Sequence, residues 1–179
     1  MTEHLDRTRV LFLCTGNATR SVLGGAALAQ RRPDLAVETA GTLVIEGLPM
    51  SFRTKAGFDA IDLAVPNHRS RQATRRILAE HDLVVAMAPE HVFWVRREHP
   101  QAAPRTATLK RLCRDLTPQL GDDAGQQASI IDRLASLHLD TVEIEPWEEV
   151  VDPGGGEVEH FIACAIEIDE LINELIDRL

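Results

Sequence analysis

The chain has 179 residues, of which 44% are hydrophobic and 26% charged, and a formal net charge of −9. Those proportions are ordinary for a globular domain, and the length suffices to bury a core of its own. No basic run is longer than Arg75-Arg76 or Arg96-Arg97, which argues against a nucleic-acid-binding face, because such a face needs concentrated positive charge.

Met1–Thr8 is polar and expected to fray. Val10–Leu13 is a short apolar run and reads as a buried strand, about Arg9–Leu13, with Cys14 at its exit. Thr15, Gly16, Asn17, Ala18 and Thr19 form a small-residue loop. Arg20-Ser21 then open a helix that runs through Val22, Leu23, Ala26, Ala27 and Leu28 to Arg31, with Pro33 just beyond it. Leu35–Thr39 reads as a second strand and Ala40-Gly41-Thr42 as a turn, followed by a loop over Leu43–Met50. Ser51 is placed to cap a helix reaching Ala60, with Phe52, Ala56 and Ala60 on one face. After a break at Val65–His68, Ser70 is expected to cap a helix Arg71–Glu80 with Ala73, Ile77 and Leu78 turned inward.

Asp82–Met87 is a third strand, apolar enough to be buried on both faces. Pro89 suits the first position of a helix ending near Arg97. Thr106–Leu112 is a weaker fourth strand, because Lys110 and Arg111 interrupt it. Gly121–Gly125 reads as loop, and Gln126–Leu137 as a short amphipathic helix on Ile130, Ile131, Leu134 and Leu137. Trp147–Pro153 leads into Gly154-Gly155-Gly156. Val158–Leu179 is the clearest helix, with Phe161, Ala165, Ile168, Ile172, Leu175 and Leu179 in one stripe; the stripe is expected to cover the sheet rather than to form a coiled-coil seam. Strands alternating with helices indicate an α/β fold of three layers, a parallel sheet with helices on both faces. No repeat, low-complexity segment or linker divides the chain, so residues 1–179 are read as a single domain with an extended connection around 116–146.

The chemistry is concentrated in Val10–Ser21. A small-residue loop between strand and helix lets successive backbone N–H groups converge on an anion, and the helix N-terminus adds partial positive charge. Arg20 offers a planar fork that matches two phosphate oxygens. A thiol in that field is expected to ionise well below its free value of about 8.5, which makes Cys14 a candidate nucleophile on the floor of an oxyanion cradle. The plainer alternative is a buried cysteine ending a strand, with Arg20 solvated. Thiolate attack on phosphorus also needs a proton donor for the leaving oxygen and a base for the incoming water. Asp152-Pro153 is the best candidate, with Asp122, Asp123, Glu148, Glu149 and Glu157 as rivals; Asp-Pro-Gly is also an ordinary turn.

CTGNATRS after VLFL resembles the signature of the low-molecular-weight protein tyrosine phosphatases, whose fold is shared by thiol-dependent arsenate reductases. The resemblance implies a flavodoxin-like sheet of four parallel strands in the order 2-1-3-4. It implies Cys14 as nucleophile, Arg20 and the amides of Thr15, Gly16, Asn17, Ala18 and Thr19 as phosphate ligands, and Asp152 as acid and then base. Ser21 is implied to help the thiolate depart, and Asn17 to be tied to Thr39 and His68 as loop supports. Arg71 also matches a recurring position, with an ordinary helix-face salt bridge as the alternative.

Several departures from the family pattern stand out. Thr19 replaces a second loop cysteine, Val22 and Gly25 replace a proline and a glutamate, and Ala88 stands where an aspartate is usual. The aromatic pair after Asp-Pro is absent, and the chain contains no tyrosine, which puts phosphotyrosine preference in doubt more than phosphoryl chemistry. Trp147 or Trp94 is left to supply an aromatic wall, against ordinary packing. Relative to compact members, the connection at 116–146 is about twenty residues longer, as surface insertions tend to be.

Three widely spaced cysteines argue against a disulfide framework, and Cys113 and Cys164 read as packing residues in apolar-patterned elements. The early apolar run is too short for a signal peptide and no segment approaches a membrane span, so a cytoplasmic protein is expected. No metal spacing and no cofactor motif is seen. The reading is a cysteine-dependent phosphatase that hydrolyses phosphomonoesters, phosphotyrosine-type, through a phosphocysteine. Its partners are a phosphorylated protein or a small phosphomonoester, not nucleic acid or membrane. The alternatives are an arsenate reductase that draws on an external thiol and a noncatalytic phosphate-binding module.

Overall fold

Strand β1, Arg9–Cys14, sits at the middle of the molecule because its residues are apolar on both sides of the pleat. In the computed structural model of the chain, which describes residues 7–118 and 129–179, β1 pairs in parallel with β2 (Ala36–Gly41) on one side. On the other side it pairs with β3 (Leu83–Ala86), which pairs with β4 (Thr106–Thr108). The order is β2-β1-β3-β4. Alternation along the strands sends Val10 and Phe12 to one face and Leu11 and Leu13 to the other. The first face shares its core with α1 (Arg20–Arg31), α2 (Phe52–Ala60), α5 (Leu109–Asp115) and α7 (Val158–Ile176). The second is covered by α3 (Arg75–Ala79), α4 (Pro89–Glu98) and a 3-10 turn at Pro100–Arg105.

Four expectations are corrected. β2 continues through Ala40 and Gly41, where a turn was expected, because Gly41 still pairs with Cys14. A Cβ on Gly41 would lie 2.4 Å from the Thr15 carbonyl oxygen and 2.9 Å from the Asn17 nitrogen, so the strand and the loop after β1 can meet only at glycine. The helix expected over Arg71–Glu80 begins only at Arg75, capped by Thr74; the Ser70–Ala73 stretch is drawn out instead, with Gln72 bridged to Gly41. The expected strand Thr106–Leu112 stops at Thr108, whose side chain caps α5 by accepting the Arg111 amide, so Lys110, Arg111 and Cys113 are helical. In α2 the buried face is Thr54, Gly57 and Phe58 rather than Phe52, Ala56 and Ala60; Phe52 is exposed.

The later chain holds closer to its pattern. α6, Ile130–Ala135, starts at a capping box between Ser129 and Asp132 and buries Leu134, while Ile131 stays exposed. The expected loop 121–125, with Asp122 and Asp123, and residues 126–128 lie outside the described residues, as do residues 1–6. A second 3-10 turn spans Pro146–Glu148. α7 buries Phe161, Cys164, Ala165, Ile168, Ile172 and Leu175, and its stripe joins the cluster that holds Val10, Phe12 and Val85. β1 connects outward to β2 on one side and neighbours β3 on the other, so the crevice at the strands' carboxyl ends opens at the switch point beside Cys14, the usual ligand position in open parallel sheets.

Candidate active site

Cys14 ends β1 on the floor of this crevice, with 3% of its surface exposed. Its Sγ lies 3.0 Å from Ser21 Oγ in the first turn of α1. Between them, Thr15 to Thr19 turn the chain into the helix. Thr19, the N-cap of α1, makes no side-chain cap bond; its hydroxyl turns away to Thr54 Oγ1 at 2.9 Å. The first-turn amides of α1 are therefore left to an anion rather than to a capping side chain.

Asn17 holds the loop's shape. Its φ of 49° is left-handed, a conformation asparagine tolerates better than most residues. Its side-chain amide donates to Ser21 Oγ at 3.0 Å and Thr39 Oγ1 at 2.9 Å, and its Oδ1 accepts the Arg71 amide at 3.0 Å. Its carbonyl pairs with His68 Nε2 at 2.6 Å and accepts the Ser70 hydroxyl at 2.9 Å. The extended Ser70–Ala73 segment follows from this role, since a helix there would turn the Ser70 hydroxyl and the Arg71 amide away from Asn17. Arg71 pairs with Glu38 and donates from Nε to the Thr39 carbonyl at 2.8 Å, fixing the strand that carries Thr39. Burial lowers the His68 pKa, with Arg71 adding to the effect and the bond to Asn17 opposing it.

Arg20 is 2% exposed and reaches across the crevice. Its Nη2 donates to Asp152 Oδ2 at 2.6 Å and to Thr15 Oγ1 at 3.4 Å, and its Nη1 donates to the Val150 carbonyl at 3.1 Å. Asp152, 51% exposed at its side chain, thus meets the arginine of the loop from 132 positions away. Its other oxygen accepts the Gly154 amide at 2.9 Å, an Asx turn that fixes the carboxyl. Of its rivals, Glu148 is fully buried against Arg111, Glu157 caps α7, Glu149 is exposed, and Asp122 and Asp123 are not among the described residues.

Two groups at the crevice escaped the sequence reading. His91, in the first turn of α4, brings Nε2 to 3.0 Å from Thr15 Oγ1. The Val150 carbonyl takes one arm of Arg20 while the Val150 amide donates to Met87 at 2.8 Å. His91 was findable from its place just past the end of the third strand, where a parallel sheet gathers its site; a backbone carbonyl leaves no signal. Trp147 lies under Arg111 and Arg114 with its indole N–H on Glu145, and Trp94 packs edge-on to His99 beside a cleft that includes Thr15. Cys113 and Cys164 are buried, and burial pushes both thiols up to about 12. Among the described residues no group of histidine, cysteine and carboxylate side chains has metal-site geometry.

Comparison with known proteins bears on the family and the fold. The profile of the family described as low molecular weight phosphotyrosine protein phosphatase matches residues 9–122. The chain is 27% identical over 172 residues to a protein-arginine-phosphatase of Geobacillus stearothermophilus, a match covering 96% of this chain and 95% of that protein. It is 31% identical over 84 residues to the low molecular weight protein-tyrosine-phosphatase Wzb of Salmonella typhi, covering 47% of this chain and 56% of Wzb. Among solved structures, the YwlE arginine phosphatase from Geobacillus stearothermophilus superposes with a TM-score of 0.71 at 26% identity, covering 94% of this chain and 90% of that one. The low molecular weight protein tyrosine phosphatase from T. tengcongensis superposes with a TM-score of 0.72 at 25% identity, covering 96% and 99%.

Proposed function

The chain belongs to the low molecular weight phosphotyrosine protein phosphatase family, and on that premise we propose that Cys14, Arg20, Ser21 and Asp152 carry out phosphomonoester hydrolysis in two steps through a phosphocysteine. The carrying observation is the constellation itself: Ser21 Oγ 3.0 Å from the Cys14 sulfur, and Asp152 2.6 Å from the arginine that opens the same helix. A phosphoryl group in the cradle takes the amides of Thr15 to Arg20 and the Arg20 fork, replacing the carboxylate as Arg20's anionic partner. The Cys14 sulfur attacks phosphorus, the P–O bond breaks, and Asp152 gives its proton to the leaving oxygen. Asp152 then takes a proton from water, the water oxygen attacks phosphorus, and the S–P bond breaks with the Ser21 hydroxyl supporting the returning thiolate.

The substrate within this reading is a phosphorylated protein or a small phosphomonoester of the phosphotyrosine type. A second reading has a specific observation behind it. The mouth of the crevice carries the exposed carboxylates of Asp152 and Glu90, Pro153 is followed by glycines, and the chain has no tyrosine. Aromatic walls suit a phenyl ring; carboxylates suit a phosphorylated guanidinium, whose remaining nitrogens are hydrogen-bond donors. One relative, aligned over 95% of its own length, is named protein-arginine-phosphatase. We read residues 1–179 as one phosphatase domain with an extended connection at 116–146. No helix among the described residues is long and apolar enough to cross a membrane, and the free thiols of Cys14, Cys113 and Cys164 fit a reducing, cytoplasmic setting.

The test is turnover of para-nitrophenyl phosphate, a phosphotyrosine peptide and an arginine-phosphorylated protein by the wild type and by Cys14→Ser. Release of phosphate that disappears in the serine variant supports the mechanism. The ratio of kcat/KM for the two protein substrates decides between aryl and guanidinium leaving groups. Phosphate release that persists in Cys14→Ser contradicts both readings.

A further inference from the structure

His91 stands apart from the groups that touch phosphorus in the mechanism above, yet its side chain is 1% exposed and faces the cradle from α4. Its Nε2 lies 3.0 Å from Thr15 Oγ1 and 3.5 Å from Glu90 Oε1, and its Nδ1 is buried with no hydrogen-bond partner among the described residues. The Thr15 hydroxyl also lies 3.4 Å from Glu90 Oε1 and takes Arg20 Nη2 at 3.4 Å. One arrangement of hydrogens satisfies every contact. The ring proton sits on Nε2 and is donated to Thr15 Oγ1, Arg20 donates to the same oxygen, and the hydroxyl hydrogen goes to Glu90. The unpartnered Nδ1 is then a lone pair rather than a buried N–H, the cheaper of the two to leave unmet. The ring is neutral throughout, since burial pushes its pKa down to about 3, with the charge on Arg20 adding to the effect.

We propose that His91 is a positioning residue: by holding the Thr15 hydroxyl in one rotation, with its lone pairs turned inward, it gives the Arg20 guanidinium a fixed acceptor and so sets the plane in which Arg20 meets the phosphoryl group. The proposal rests on the reading of Arg20 as phosphate ligand. With a side chain that merely fills space, only the 3.4 Å contact to Glu90 would orient the hydroxyl, and Arg20 would lose its fixed acceptor without losing Asp152 or Val150.

Inorganic phosphate as a competitive inhibitor, with kcat and KM measured alongside, tests this in Arg20→Ala, His91→Leu, His91→Gln, Thr15→Val and the His91→Leu/Thr15→Val pair. Leucine keeps the volume without a donor, and glutamine restores one. The expected result is that His91→Leu and Thr15→Val each weaken phosphate about tenfold, the size of one well-placed hydrogen bond. The double variant should be no worse than either alone, and His91→Gln should recover most of the loss. The inference is overturned if folded His91→Leu keeps its phosphate affinity within twofold, or if the two single effects multiply. Should His91→Leu fail to fold, Thr15→Val decides on the native ring: about tenfold weakening supports the proposal and less than twofold overturns it. Arg20→Ala separates the two levels, because unchanged phosphate affinity there sinks the Arg20 reading itself.

Discussion

At Asn17 one side chain meets Ser21, Thr39 and the Arg71 amide, while its backbone holds a left-handed angle. Asn17→Gly keeps the angle and removes the bonds; Asn17→Ala removes both. Both are expected to lower kcat by about a hundredfold, as loss of a preorganised geometry does, and alanine is expected to lower the thermal midpoint further than glycine. Equal midpoints for the two would mean that the angle costs nothing. Asp152→Asn is expected to lower kcat by about 10²–10⁴ on a phosphomonoester with a poor leaving group, and by less on para-nitrophenyl phosphate, whose leaving oxygen needs little protonation. Equal losses on both substrates would argue that Asp152 serves binding instead. The residues legible in the sequence were those that chemistry demands within one short loop, Cys14 to Ser21, plus an aspartate marked by its proline and glycines. Thr39 and His68 were named only through resemblance. Ser70, His91 and Val150 reach the site through the folded chain, and nothing local distinguishes a serine or a histidine that will face it.

At the scale of elements, the segment that carries Asp152 is held by a buried ion pair. Glu148, fully buried, accepts Arg111 Nε at 3.0 Å, the Thr108 hydroxyl at 2.6 Å and the Glu145 amide at 2.8 Å. Glu148→Leu leaves the buried Arg111 cation with only Asp115, at 3.2 Å, as its anionic partner and is expected to cost about 3 kcal/mol, read from urea unfolding, together with a fall in kcat as the acid segment loosens. The pair Glu148→Leu/Arg111→Met should regain much of the stability; if it does not, the pair's worth is not electrostatic. Gly41→Ala drives a Cβ into the Thr15 carbonyl and is expected to abolish phosphate binding before it unfolds the sheet. α7 was legible from its periodic apolar stripe, β1 from its continuous apolar run, and α4 from the proline at its first position. Ser70–Ala73 was not, because its polar groups answer to Asn17 rather than to a helix of their own. β4 was overextended for a similar reason: Thr108 is both the last strand residue and the cap of α5, and one residue with two roles hides the boundary between them.

For the whole molecule, several titrating groups push stability in the same direction. Folded His91 stays neutral down to about pH 3, whereas its unfolded form protonates near 6.5. Between those values the unfolded chain binds the extra proton, so stability falls as pH drops, by up to about 1.4 kcal/mol per pH unit. His68 and His81, both lowered chiefly by burial, act in the same sense below their ordinary value of 6.5. For Glu148, burial favours the neutral form but is outweighed by the bonds from Arg111, Thr108 and the Glu145 amide, which hold its carboxyl below the ordinary value of 4.5. Its contribution is therefore present above that value and lost as pH falls from there through the folded-state value. The unfolding midpoint is expected to decline steadily from pH 7 to pH 4, in the one cooperative transition that the proposed single-domain reading requires. His91→Gln should flatten the upper part of that decline, and an unchanged slope would mean that the imidazole is not held neutral. In the proposed reaction phosphorus passes through one sulfur, that of Cys14. Rapid acid quench of the enzyme with a labelled phosphomonoester, followed by peptide mapping, measures this most directly. A burst of leaving group stoichiometric with enzyme is expected, with label covalently on the peptide carrying Cys14; label on another residue, or a burst unaltered in Cys14→Ser, would overturn the phosphocysteine mechanism.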